Sequence, residues 1–199
     1  MSLKQENIDL EKVLEINEYI KSIDSLAFFI KLNALNAFFL ANRSGEQLRG
    51  YIVVTDEFNR FSGELMQFVE NLLSIIHEVV FLVSDNIKQN HRLRLYERAL
   101  KDTRPDSVGI INDFIKQHDL VVQKIRDEIA ANMASLGLSL MRNEKMILKG
   151  DMLAMQAKIE GAYSRNSREV FMDVAENFQK HIGRIRQSLQ GLKKMLQDR

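Results

Sequence analysis

Residues 32–54 read LNALNAFFLANRSGEQLRGYIVV. Phe38, Phe39 and Leu40 stand in a row just ahead of Arg43-Ser44-Gly45-Glu46. Gly tolerates the left-handed backbone that ends helices, so Gly45 marks a turn between two helical runs. Neighbouring helical residues are about 100° apart, so three in a row span roughly 200° and cannot all face one core. At least one of the three is therefore expected to be exposed.

The rest of the chain extends this helical reading. One Pro and 9 Gly among 199 residues is little punctuation, and no dipeptide suited to a tight β-hairpin separates alternating apolar runs. The fold class expected is all-α, built of long antiparallel hairpins. Apolar residues recur at three- and four-residue steps from Ile8 through Val13, Ile16, Ile20, Ile23, Ala27, Ile30, Ala34 and Ala37 to Ala41. A second run continues from about Glu46 through Ile52, Phe58, Leu65, Val69, Leu72, Ile76, Val79, Leu82 and Ile87 to Leu100. Pro105, the only proline, breaks it, and Asp106 or Ser107 can cap the next helix. A third helix is expected over residues 108–163, a turn at Asn166, and a fourth helix over residues 168–196. Turns at Gly45, Pro105 and Asn166 are evenly spaced, about 60 residues apart. The middle helices should pair along their length and the outer two should flank one half of them. That describes a four-helix bundle with a two-helix stalk, made of a first hairpin (1–104) and a second (105–199).

Even spacing calls for a test of duplication. A shift of 120 residues, with no gap, sets Tyr51 on Phe171, Val54 on Val174, Phe58 on Phe178, Leu65 on Ile185 and Leu72 on Leu192. The register holds across a turn in both copies.

Composition bounds the function. With 28 basic and 27 acidic residues the net charge is +1, which argues for neither nucleic acid nor an anionic surface as partner. There is no Cys, hence no disulfide or thiolate metal site. The polar, periodic N-terminus is unlike a secretion signal. Lys31, Asn33 and Asn36 interrupt the most apolar stretch, so no spanning helix or direct membrane insertion is expected. The expected location is cytoplasmic. His77-Glu78 begins a zinc-protease-like string, but Phe81 stands where a second His is needed. The four His lack ligand spacing, and there is neither a Gly-rich phosphate loop nor a nucleophile elbow. No enzyme activity, cofactor, metal or small-molecule substrate is expected.

From Leu26 the chain reads LAFFIKLNALNAFFLANRSGEQLRGYIVVTDEFN. Ala34-Leu35-Asn36-Ala37, Arg43, Gly45-Glu46, Arg49-Gly50, Val53-Val54 and Glu57 match, without a gap, the hairpin tip of bacterial methyl-accepting chemotaxis receptors. Polar and Gly positions match as well as the apolar stripe, so the resemblance is specific over residues 23–61. Elsewhere it is only helical. The resemblance implies a single-chain mimic of a receptor dimer. It implies contact with other receptors through Phe28, Leu35, Asn36, Phe39, Arg43 and Val53. It also implies docking of the chemotaxis histidine kinase and coupling adaptor around Leu32, Glu46, Val53 and Glu57. The second copy departs at Leu148, Met155, Gln156, Tyr163, Asn166, Asp173 and Asn177. In the first copy Phe29, Lys31, Asn33, Phe38 and Leu40 depart from the pattern. A methyl-acceptor site and an enzyme-recruiting C-terminal tether are not recognisable. An active-helix resemblance to the chemotaxis response-regulator phosphatase at residues 175–179 fails, because Lys180 and Arg184 fall where an Asp and a Gln are needed. The reading is a soluble, non-enzymatic signalling protein that presents a receptor tip. The alternative is a helical structural or interaction protein that keeps the receptor fold without binding the kinase.

Overall fold

A computed structural model describes residues 10–43, 49–102, 104–164 and 168–197. Among these residues the chain is all-α, with α1 Leu10–Arg43, α2 Arg49–Lys101, α3 Val108–Arg142, α4 Glu144–Tyr163 and α5 Arg168–Gln197. α2 alone has 53 residues, about 80 Å at 1.5 Å per residue. A single 3-10 turn, Pro105–Ser107, separates α2 from α3, with the Ser107 amide donating to the Arg104 carbonyl. Pro105 therefore sits where the chain reverses. Gly45, Glu46 and Asn166 lie outside the described residues.

One boundary differs from the sequence reading. The helix expected over residues 108–163 is interrupted at Asn143, giving α3 and α4. The Asn143 side chain donates to the Ser139 carbonyl at 2.8 Å. Its backbone amide reaches back only three residues, to Leu140, at 3.3 Å. An Asn that satisfies backbone groups with its own amide competes with the helical ladder, and a three-residue bond tightens it locally.

The chain forms two compact units. Of the described residues, the first holds those in 10–15 and 74–136. Its core holds Val13, Ile76, Val79, Val83, Val122, Ile125 and Ile129. The apolar periodicity places Ile87 inward, but Asn86 is the buried residue there and Ile87 is exposed. Asn90 donates to both the carbonyl and the side-chain oxygen of Asn86. Tyr96 meets the rings of Phe114 and His118, so α2 and α3 run in opposite directions within this unit.

The second unit comprises residues 16–73 and 137–199. In α1 the buried positions step Ile16, Ile20, Ile23, Ala27, Ile30, Ala34, Ala37, Ala41. In α4 they step Ile147, Gly150, Ala154, Ala157, Gly161, with Leu153 buried beside Ala154. Alternating steps of three and four mark a coiled-coil seam, and small residues along it let neighbouring helices approach closely. Tyr51 is buried, and Ile52 is partly buried against the cluster of Ala41, Tyr51 and Phe171. Contacts between α4 and α5 run in opposite chain order: Gly161 meets Phe171, Gly150 meets Ile182, and Glu144 pairs with Lys193. The same holds for α2 with α3 and α4. Asn71 accepts from Ser139 at 3.1 Å, and Glu64 pairs with Lys149 at 2.9 Å.

Two helices carry windows long and apolar enough to cross a membrane, with mean hydropathy 1.4 in residues 10–42 and 1.5 in residues 50–101. This corrects the expectation that no apolar run reaches that length. The polar interruptions at Lys31, Asn33 and Asn36 are too few to lower the mean below that of a spanning segment. Only 28 % of the α1 window is buried, so much of its apolar surface faces outward.

Candidate docking surface

In the second unit, several contacts fall between residues 120 positions apart. In a two-fold arrangement, residues near the axis contact their own equivalents. Tyr51 and Phe171, 120 residues apart, have ring centroids 3.7 Å apart, and the Tyr51 hydroxyl donates to the Phe171 carbonyl at 3.3 Å. Phe58 and Phe178 stack with centroids 4.0 Å apart and planes 8° apart. One further contact has its equivalent under the same shift. Tyr19 packs at Gly191, where a Cβ would meet its ring at 2.9 Å. The matching pair is Ser139 with Asn71. The duplicated register read from the sequence is therefore also a register of contacts.

Around this core, the residues singled out in α1 lie on one outward face. Phe28 (56 % exposed), Leu32, Leu35 and Phe39 (61 % exposed) recur at steps of four, three and four, with Asn36 also exposed beside them. Phe38 and Leu40 are partly buried, and Leu40 packs against the cluster of Ala41, Tyr51 and Phe171. Of the three apolar residues in a row, Phe39 is the one left outside, as the angular argument requires. Arg43 closes α1.

Val53 (60 % exposed) and Glu57 lie one turn apart on α2. Arg60, in the same helix, holds Glu57 at 3.3 Å and Asp56 at 3.0 Å. Solvent-exposed pairs of this kind contribute little to stability. Among the described residues, no hydrogen bond, ion pair or ring contact joins the α1 row to Val53 and Glu57. The candidate residues thus form two groups, a row on α1 and a pair on α2.

Two features were missed in the sequence. Phe29 stacks on His181 of α5 with centroids 5.8 Å apart and planes 12° apart. Burial lowers the His181 pKa, and the neighbouring charges of Arg184 and Lys180 lower it further. The imidazole is thereby kept neutral against the ring. The other feature is on α4. Leu148, Met152 (72 % exposed), Met155 and Ile159, the equivalents of Phe28, Leu32, Leu35 and Phe39, are also exposed. Side-chain identity changed between the copies while apolar character and exposure stayed. The three- and four-residue steps of these residues were the signal available in the sequence.

Burial also raises the Tyr51 phenol, so it stays protonated as the donor to Phe171. No group of three or more His, Asp or Glu that could hold a metal is found among the described residues. The surface offers apolar ridges flanked by paired charges, which suits recognition of another protein. No family model, curated protein or solved structure matches the chain.

Proposed function

We propose that the chain is a soluble, chemoreceptor-like signalling protein that presents a receptor tip to the chemotaxis histidine kinase and its coupling adaptor, or to other receptors. In this reading its two hairpins form a four-helix bundle, a single-chain counterpart of a receptor dimer. The observation that carries the proposal is the outward row Phe28, Leu32, Leu35 and Phe39 on α1. These are the positions at which the tip resemblance implies contact with partners. An isolated helix gains nothing by turning two Phe and two Leu to water, since each exposed large apolar side chain forgoes about 1.5–3 kcal/mol of burial. A partner that covers the row recovers that term. The equivalence of Tyr51 with Phe171 and Phe58 with Phe178 supports the single-chain dimer.

The second reading is a helical interaction protein that has left the chemotaxis kinase behind. The division of the docking residues into a row on α1 and a pair on α2, with no hydrogen bond, ion pair or ring contact joining them among the described residues, favours it. A binding titration against a bacterial coupling adaptor and kinase, with a receptor tip as competitor, decides between them. Saturable and competed binding is expected. No binding at concentrations well above those that saturate the receptor tip would leave the second reading.

A further inference from the structure

The outer face of α4 continues beyond the four residues equivalent to the α1 row. Leu138 and Met141 of α3 are exposed, as are Lys145, Leu148, Met152, Met155 and Ile159. Their spacing is three, four, three, four, three, four. This is the heptad pattern of a coiled-coil seam, with Leu138, Lys145, Met152 and Ile159 at one core position and Met141, Leu148 and Met155 at the other. It is separate from the inner seam of α4, which Ile147, Gly150, Ala154, Ala157 and Gly161 fill within the chain. A strict seam of this period is complementary to another helix rather than to a flat surface or a small molecule.

We propose that this outer seam binds the same seam of a second copy of the chain, antiparallel, in an isologous dimer. Three observations select that occupant. The first is area. Leu138, Met141, Leu148, Met152, Met155 and Ile159 are each more than half exposed. Together they present on the order of 800 Å², which is about what each partner of a stable interface contributes.

The second observation is Lys145, the one charged residue at a core position of the seam. A parallel pair would set Lys145 against Lys145 of the second copy. An antiparallel pair centred near Gly150 sets Lys145 against Met155, Leu148 against Met152, and Met141 against Ile159, so no two ammonium groups meet.

The third is the flanking charge. In that register Glu144, which also pairs with Lys193 of its own chain, comes beside Lys158 of the second copy, a charge of opposite sign. Lys149 and Asp151 would each come beside their own kind. Both are already neutralised inside the chain, Lys149 by Glu64 and Asp151 by Arg186. The dimer uses α4 and leaves the α1 row uncovered, so it does not depend on the proposed receptor contact.

The test is the mass of the full chain in solution as a function of concentration, for the wild type and for the double variant Met152→Glu, Met155→Glu. Both positions are exposed, so circular dichroism should remain helical. The wild type should pass from the 23.1 kDa of one chain to twice that mass as concentration rises through roughly 1–100 μM. The variant should stay a monomer. Because the chain contains no Cys, orientation can be read from introduced ones. Chains carrying Leu148→Cys, mixed with chains carrying Met152→Cys, should oxidise mainly to the mixed disulfide. Homodisulfides at position 148 would mean a parallel pair and overturn the proposal. So would a wild type that stays monomeric throughout, or a dimer that Phe28→Glu disrupts while the α4 variant does not. Binding of the monomer to phospholipid vesicles through Met152 and Met155, without dimerisation, would assign the seam to a lipid surface and equally overturn it.

Discussion

Phe58→Ala, Phe178→Ala and the double variant form a cycle that measures the contact between two rings 120 residues apart. Both rings are fully buried and stacked face to face, 4.0 Å between centroids. Phe61 also meets the Phe178 ring at 5.7 Å, so the cavity left by either truncation is walled by large side chains on neighbouring helices and cannot collapse easily. Removing one ring empties roughly 80–100 Å³. At about 24 cal/mol per Å³ that is near 2 kcal/mol, and with the lost transfer term each single variant should cost about 3–5 kcal/mol. A domain is typically stable by only about 5–15 kcal/mol, so each variant should fold but be severely weakened. The ring-to-ring contribution is about 0.5–1.5 kcal/mol beyond area, and the two variants share one void. The double variant should therefore be less destabilised than the two singles added together, by at least that amount. Urea unfolding followed by circular dichroism at 222 nm, analysed at constant slope, gives all three values. Single-variant losses below about 1 kcal/mol, or strict additivity in the cycle, would refute the reasoning that these two rings meet in the core.

Val53→Asp changes an exposed side chain and should leave thermal stability within about 0.5 kcal/mol while abolishing adaptor binding; unchanged affinity in a helical, monodisperse variant would sink the docking role of this face. Glu46→Lys should likewise abolish adaptor binding. His181 has a depressed folded-state pKa, so its contribution to stability is present above the ordinary imidazole range and is lost as pH falls through it. The wild type should accordingly lose more stability than His181→Phe between about pH 7.5 and 5, and parallel unfolding curves over that interval would refute the depressed pKa. Tyr51 is shifted the other way, so its stabilisation is full below about pH 10 and lost above it. In an ultraviolet titration of the phenols, one tyrosine should resist ionisation until the chain unfolds. Tyr51→Phe should remove that late step at a cost of about 0.5–1.5 kcal/mol for the hydrogen bond to Phe171.

Much of this architecture was written in local sequence. The three- and four-residue steps from Val13 to Ala41 named the buried face of α1 residue by residue, because helical period alone fixes which positions share a side. Pro105 fixed the reversal between α2 and α3, since it cannot continue a helix ladder. The 120-residue shift that aligned Tyr51 with Phe171 and Phe58 with Phe178 turned out to pair residues in contact. What local sequence could not decide was the fate of a second apolar face on the same helix. α1 and α4 each carry two seams of nearly the same period, and periodicity is blind to which one a neighbour will cover. Packing of the Phe58 and Phe178 rings and of the small residues Ala34, Ala37, Ala154 and Ala157 brought the inner seams inside. It left Phe28, Phe39, Met152 and Met155 outside. The break at Asn143 and the pairing of Phe29 with His181 are likewise tertiary outcomes. Burial depends on what lies across from a residue, and the residue's own neighbours in sequence do not carry that information.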